Sequence, residues 1–213
     1  ELKFIGLANN SFTSIGEGNI LRNSIKRTFE KIKIQDLDVS SLPNVPNGKY
    51  KVVIDPGHGG SDPGAVGING LRETDIVLEV SKNVSELLTK KGVKTILTRN
   101  DERTLDLHPR VIKANNSKAD VFVSIHANAT RGKQKEVNGL ETYYYSGSKG
   151  YSLAKNIHKQ ILITSSQSPD RGIKRSRFYV IRRSSMPAVL VEIGFVTGMY
   201  DAALLRQKSY REK

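Results

Sequence analysis

From Lys51 onward, the spacing of apolar positions switches back and forth between two periods. "KVVID" (51–55) is a short continuous apolar run of the kind a buried strand makes. "TDIVLEVSKNVSELLTKKG" (74–92) repeats apolar residues at three- and four-residue spacing and then reaches Gly92, which predicts an amphipathic helix with a glycine stop. "VKTILTR" (93–99) predicts the next strand, so the first unit reads strand, helix, strand. The same reasoning predicts a helix over "LHPRVIKANNSK" (107–118), strands over "ADVFVSI" (119–125) and "GLETYYY" (139–145), and a helix over "YSLAKNIHKQILI" (151–163). Strands over "FYVIR" (178–182) and "AVLVEI" (188–193) and a last helix over "YDAALLRQKSY" (200–210) complete the pattern. Such alternation implies an α/β fold, a mostly parallel twisted sheet flanked by helices on both faces in a single domain.

Upstream, "VSSLPNVPNGK" (39–49) concentrates proline, asparagine, serine and glycine and reads as a linker. Residues 1–48 are therefore expected to be an N-terminal extension and linker, and residues 49–213 the main domain. Within the extension, "NILRNSIKRTFEKIKI" (19–34) places Ile20, Leu21, Ile25, Phe29 and Ile32 at helical spacing, a helix too short to fold alone.

Composition narrows the class. With 213 residues and 37% hydrophobic content the chain is long enough for one well-buried core. No apolar run approaches the roughly 18 residues of a membrane span, and "ELKFIGLANN" carries neither an initiating Met nor a signal pattern, so a processed or excised piece is expected. The absence of cysteine excludes disulfides and thiolate metal sites. The net charge of +13 predicts attraction to a polyanion, whether nucleic acid, anionic lipid or an acidic wall polymer. The first 50 residues carry seven Lys or Arg against five Asp or Glu, so the excess rides on the main domain. It is densest in "RGIKRSRFYVIRR" (171–183), where basic and apolar residues alternate as on a half-exposed strand; a solvated basic face is the plainer reading. No aromatic stacking motif accompanies it, which argues against nucleic acid.

The candidate chemistry gathers at strand ends. In open α/β sheets the working crevice lies beyond the carboxyl ends of the strands. His58 follows "KVVID", His126 ends "VFVSIH" and Glu192 ends "AVLVE", so three ionisable groups distant in sequence reach one sheet edge. Two imidazoles and a carboxylate are a common catalytic zinc set. Glu73, at the mouth of the helix that starts on that edge, is the best third ligand, although a first-turn glutamate also complements the helix dipole. Glu192 is then left for acid/base work. His108, before Pro109, and His158, on the polar side of its helix, read as ordinary residues.

"IDPGHGGSDPGAVG", "LRETDIVLEVS", "VFVSIHANA", "NGLETYYY" and "RGIKRSRFYVIRRSSMPAVLVEIGFVT" together resemble the type-3 zinc-dependent N-acetylmuramoyl-L-alanine amidases of the bacterial cell wall, in order from about Lys51 to Leu205. The resemblance implies a hydrolase that cuts the amide between N-acetylmuramic acid and L-alanine in peptidoglycan. It implies one Zn²⁺ on His58, Glu73 and His126 and catalysis by Glu192. Glu141 matches a further family position and is kept as a secondary catalytic candidate, with a structural hydrogen bond to the metal-site loops and a contact to substrate as equal readings of its role. Asn128 is expected to contact substrate or to shape its loop, and Arg171, Lys174 and Arg175 to contact the acidic polymer. The zinc chemistry alone also allows a peptidase of stem peptides, and the charge alone a non-catalytic wall-binding protein. Export to the periplasm or cell envelope is expected, with peptidoglycan as partner and neither nucleic acid nor an oligomer.

Some family members that act in daughter-cell separation carry a long insertion between the "SIHA" and "ET" motifs that plugs the site. Only "NATRGKQKEVNG" intervenes here, so no plug is expected. The resemblance further implies a last helix running beyond "LLRQKSYREK", so the domain is expected to stop short of it.

Overall fold

The computed structural model describes residues 45–213 apart from Lys133; the expected N-terminal helix and most of the linker lie outside the described residues. The first half of the domain runs β1 (Lys51–Pro56), α1 (Glu73–Lys90), β2 (Lys94–Leu97), α2 (Leu107–Asn116) and β3 (Val121–Asn128). The second half runs β4 (Leu140–Tyr144), α3 (Gly147–Thr164), β5 (Asp170–Arg175), α4 (Tyr179–Arg183), β6 (Ala188–Phe195), α5 (Met199–Leu205) and α6 (Lys208–Arg211). One six-stranded sheet has the order β2-β1-β3-β6-β4-β5. Every pairing is parallel except β4 with β6.

Burial on both faces explains the apolar runs of the central strands. Val53, Phe122 and Leu190 pack under Val111 and Ala114 of α2 and Val180 and Ile181 of α4. On the opposite face Ile54 and Ile125 pack against Ile76 and Val77 of α1 and Leu204 and Leu205 of α5, while Val189 and Val191 meet Ala154 of α3. Since side chains alternate along a strand, Asp55, Ser124, His126 and Glu192 belong to the α2/α4 face. Strand β1 lies between β2 and β3, so the direction of winding reverses there and the carboxyl ends of β1 and β3 border a crevice.

Four expectations are corrected. "FYVIR" is not a strand; residues 179–183 form α4, which presses Val180 and Ile181 onto the sheet. Four consecutive apolar residues are too few to separate strand from helix by period. The basic stretch is therefore not one ribbon but the strand β5, a connection and a helix. The last helix is split into α5 and α6. His158 is not on a polar side: it is 4% exposed, four residues beyond the buried Ala154, and bonds Thr142 Oγ1 and Asp170 Oδ1 at 2.9 Å each. A buried imidazole with two polar partners tolerates such a seat.

Candidate metal centre

Backbone geometry at the end of β1 places the first imidazole. His58 has φ of 60°, a left-handed conformation that costs a side-chain-bearing residue about 1–2 kcal/mol. Two buried arginines hold the turn in that shape. Arg99 Nη2 donates to the Gly57 carbonyl at 2.6 Å and Arg110 Nη2 to the His58 carbonyl at 2.6 Å, and both guanidinium groups also bond the Pro56 carbonyl. Arg110 is in turn paired with Asp55 Oδ1 at 2.9 Å, and Thr98 and Ser124 hydroxyls complete the carboxylate. A glycine, Gly57, precedes His58 because a Cβ there would run into the His126 ring.

The three expected ligands converge. His58 Nε2 lies 3.1 Å and His126 Nδ1 3.0 Å from Glu73 Oε1, and the candidate ligand atoms all fall within 4.8 Å of one another. Glu73 opens α1, and its carboxylate is fixed by the Ala65 N–H on Oε2 and the Ala127 N–H on Oε1, at 2.9 and 3.0 Å. Gly64 leaves room for it, since a Cβ there would sit 2.7 Å from Glu73 Oε2. Asp62 Oδ2 takes His58 Nδ1 at 2.7 Å, which directs Nε2 toward Glu73 and the crevice. That carboxylate–imidazole pair is a usual support for a metal-binding histidine, and sequence reasoning missed it. The quoted "GHGGSD" turn contained its only signal, an aspartate four residues after the histidine.

Charge in the site is distributed unequally. Burial would raise the Glu73 carboxyl, but hydrogen bonds from His126 and His58 hold it well below the usual carboxylate range. Burial pulls the His58 imidazole down; Glu73 and Asp62 outweigh it and raise it. Glu192 is the opposite case. Burial pushes its carboxyl up to about 7, with the nearby His126 opposing and Glu73 and Glu141 adding to the rise. Its Oε2 is buried and has no hydrogen-bond partner among the described residues.

Strand register explains how Glu192 arrives. His126 pairs with Glu192 between β3 and β6, and Glu192 with Glu141 between β6 and β4, so the three form a row across adjacent strands. Strands β3 and β6 run on past these residues, to Asn128 and Phe195, and the register slips between His126 and Asn128. Glu141 is 2% exposed and receives four donors: Arg171 Nε and Lys174 Nζ at 2.6 Å each on Oε1, with Asn128 Nδ2 at 3.2 Å and the Tyr143 hydroxyl on Oε2. Burial would raise the Glu141 carboxyl, yet Lys174, Tyr143 and Arg171 bring it below its ordinary value. Asn128, Arg171 and Lys174 thus meet on one carboxylate. Arg175 does not join them; its Nε bonds the Tyr145 carbonyl at 2.9 Å. His108 lies apart on α2 against the Tyr179 hydroxyl.

The family model described as N-acetylmuramoyl-L-alanine amidase matches residues 52–213. The chain belongs to that family. It is 46% identical over 165 residues to YqiI of Bacillus subtilis, an uncharacterised protein, a match covering 76% of this chain and 78% of that one. It is 42% identical over 165 residues to the B. subtilis N-acetylmuramoyl-L-alanine amidase LytC, covering 76% of this chain but 32% of LytC, so the chain spans about a third of that relative. The solved amidase AmiC2 of Nostoc punctiforme superposes with a TM-score of 0.75 at 44% identity, over 78% of this chain and 91% of that one. By class this amidase is a hydrolase acting on the amide its family description names. Its β3–β4 connection, residues 129–139, holds no helix among the described residues, and none of the described helices is long and apolar enough to cross a membrane.

Proposed function

We propose that this chain hydrolyses the amide between N-acetylmuramic acid and L-alanine in peptidoglycan, using one Zn²⁺ held by His58, Glu73 and His126 in the cell envelope. The observation that carries the reading is the convergence of those three ligand atoms beside a raised, unpartnered Glu192. His58, Glu73 and His126 would hold the ion: their candidate ligand atoms lie within 4.8 Å of one another, with Glu73 Oε1 3.1 and 3.0 Å from the two imidazoles. Neutral imidazole nitrogen and carboxylate oxygen are the donors such an ion accepts, and three of them leave a fourth position open. When bound, zinc supplies a water of lowered pKa and a Lewis acid for the scissile carbonyl.

The chain's own residues then move the proton. Glu192, whose carboxyl burial raises to about 7, accepts a proton from the attacking water as the water oxygen bonds the lactyl carbonyl carbon. The same carboxyl gives that proton to the alanine nitrogen as the carbon–nitrogen bond breaks, so the products are a carboxylic acid and a free amine. Glu141 does not exchange protons in this scheme; its four donors keep it ionised, and it fixes Arg171, Lys174 and Asn128 beside the row.

Metal analysis of the purified protein tests the site: one zinc per chain is expected, with loss of activity on chelation and loss of zinc in His126→Ala. Absence of a tightly bound divalent ion, or unchanged zinc in that variant, would contradict the assignment.

A further inference from the structure

The row of residues does not stop at Glu141. Leu140 pairs with Asp170 and Thr142 with Ile173, with a bulge between, so Arg171 stands beside Glu141 on the neighbouring strand β5. His126, Glu192, Glu141 and Arg171 therefore cross four adjacent strands, and Lys174 follows opposite Tyr143. Two cations share one carboxylate, leaving one positive charge over. The carboxylate is buried while Arg171 and Lys174 are 36% and 41% exposed, so the anion lies beneath and the cations face outward. Arg171 is held on two sides, by Nε on Glu141 and by its guanidinium 5.0 Å from the Phe195 ring centre. Of its guanidinium nitrogens, Nε is the one bonded to Glu141, and the side chain remains 36% exposed. Lys174 is steadied in the same way, over Tyr143 at 6.0 Å.

We propose that Arg171 and Lys174, set in place by Glu141, form a subsite for a carboxylate on the leaving peptide, one residue beyond the L-alanine. The inference rests on the amidase reading, which puts the scissile nitrogen at Glu192. Two strand spacings separate Glu192 from Arg171, roughly 10 Å, and two residues of extended peptide span about 7 Å, a difference an arginine side chain covers. A stem peptide continues from L-alanine into an acidic residue joined onward through its side chain, so that its α-carboxyl is free or capped as an amide. A free carboxylate takes charge-assisted hydrogen bonds from both cations, and an amide does not. The cell-wall chains this domain accepts are thereby sorted by amidation of that carboxyl.

The test uses the zinc-loaded chain and two dipeptides whose side-chain carboxyl is capped as the methylamide, L-alanyl-D-glutamate γ-methylamide and L-alanyl-D-isoglutamine γ-methylamide, which differ only in whether the α-carboxyl is free or amidated. NMR titration at low salt is expected to show about 10-fold tighter binding of the free acid, the partial exposure of the cations keeping the ratio modest. The ratio should fall toward one in Arg171→Gln and in Lys174→Gln and recover in part in Arg171→Lys. Equal affinity for the two dipeptides in the unaltered chain overturns the proposal, as does a preference that survives both glutamine variants. The corresponding N-acetylmuramoyl dipeptides are then supplied as substrates: failure to cleave either one contradicts the amidase reading, while the binding ratio still decides the subsite.

Discussion

Glu192 and Glu141 are neighbours across two strands, yet their surroundings drive them apart. One is half-buried, its Oε2 without a hydrogen-bond partner among the described residues, and rises to about 7; the other is buried among four donors and falls. Paired carboxyls separated in this way divide the labour, one exchanging protons and the other holding charge. Glu192→Gln, similar in shape but unable to exchange a proton, should therefore lose about 10²- to 10⁴-fold in turnover while zinc content stays at one per chain. Loss of zinc in that variant would make Glu192 a ligand, and near-normal turnover would remove it from the chemistry. The arginine beneath the metal turn supports the site in another way. Arg110 and Asp55 are 3% and 1% exposed at their side chains, and breaking a buried pair leaves an uncompensated charge. Arg110→Met should lower stability by about 3–5 kcal/mol in denaturant unfolding; a change below 1 kcal/mol would show that the turn does not depend on it.

Element by element, the chain shows which features a sequence carries. Strands β1, β3 and β6 and helices α1 and α3 were legible because both faces or a whole helical stripe had to be apolar. Helix α4 was not, since Phe178 to Ile181 satisfy either period over so short a run. The candidate ligands His58 and His126 were legible because each follows an apolar strand, and Glu73 because it opens the helix on the same edge. Arg99, Arg110 and Asp55 were not, because their partners lie 42 to 69 residues away and only folding brings them together, while Asp62, four residues from His58, was hidden in a glycine-rich turn with no period to read. The edge pair β4–β5 also gains a pH dependence that no local pattern announces. The folded pKa of Glu141 lies below its ordinary 4.5, so its contribution to stability is complete above that value and is lost as pH falls through the folded value. The thermal midpoint of the protein should exceed that of Glu141→Gln at pH 7, and the gap should close below pH 4.5. A gap that does not vary with pH would mean that packing, not charge, holds this edge.

At the scale of the whole molecule, topology assembles the site and charge directs it. Helix α1 brings Glu73 from one face, β3 and β6 bring His126 and Glu192 on the other, and the reversal of winding at β1 opens the crevice between them. The chain carries a net charge of +13, so its binding to purified cell walls should weaken as ionic strength rises. Affinity that is the same at low and high salt would reduce the basic residues to a solvated surface. The most direct test of the account is digestion of purified peptidoglycan and of defined muropeptides by the zinc-loaded chain, with the products weighed by mass spectrometry. The account predicts free L-alanine amino termini and intact stem peptides released from N-acetylmuramic acid, with no activator added. Cleavage within the stem peptide instead, or no cleavage by a chain shown to hold its zinc, would contradict it.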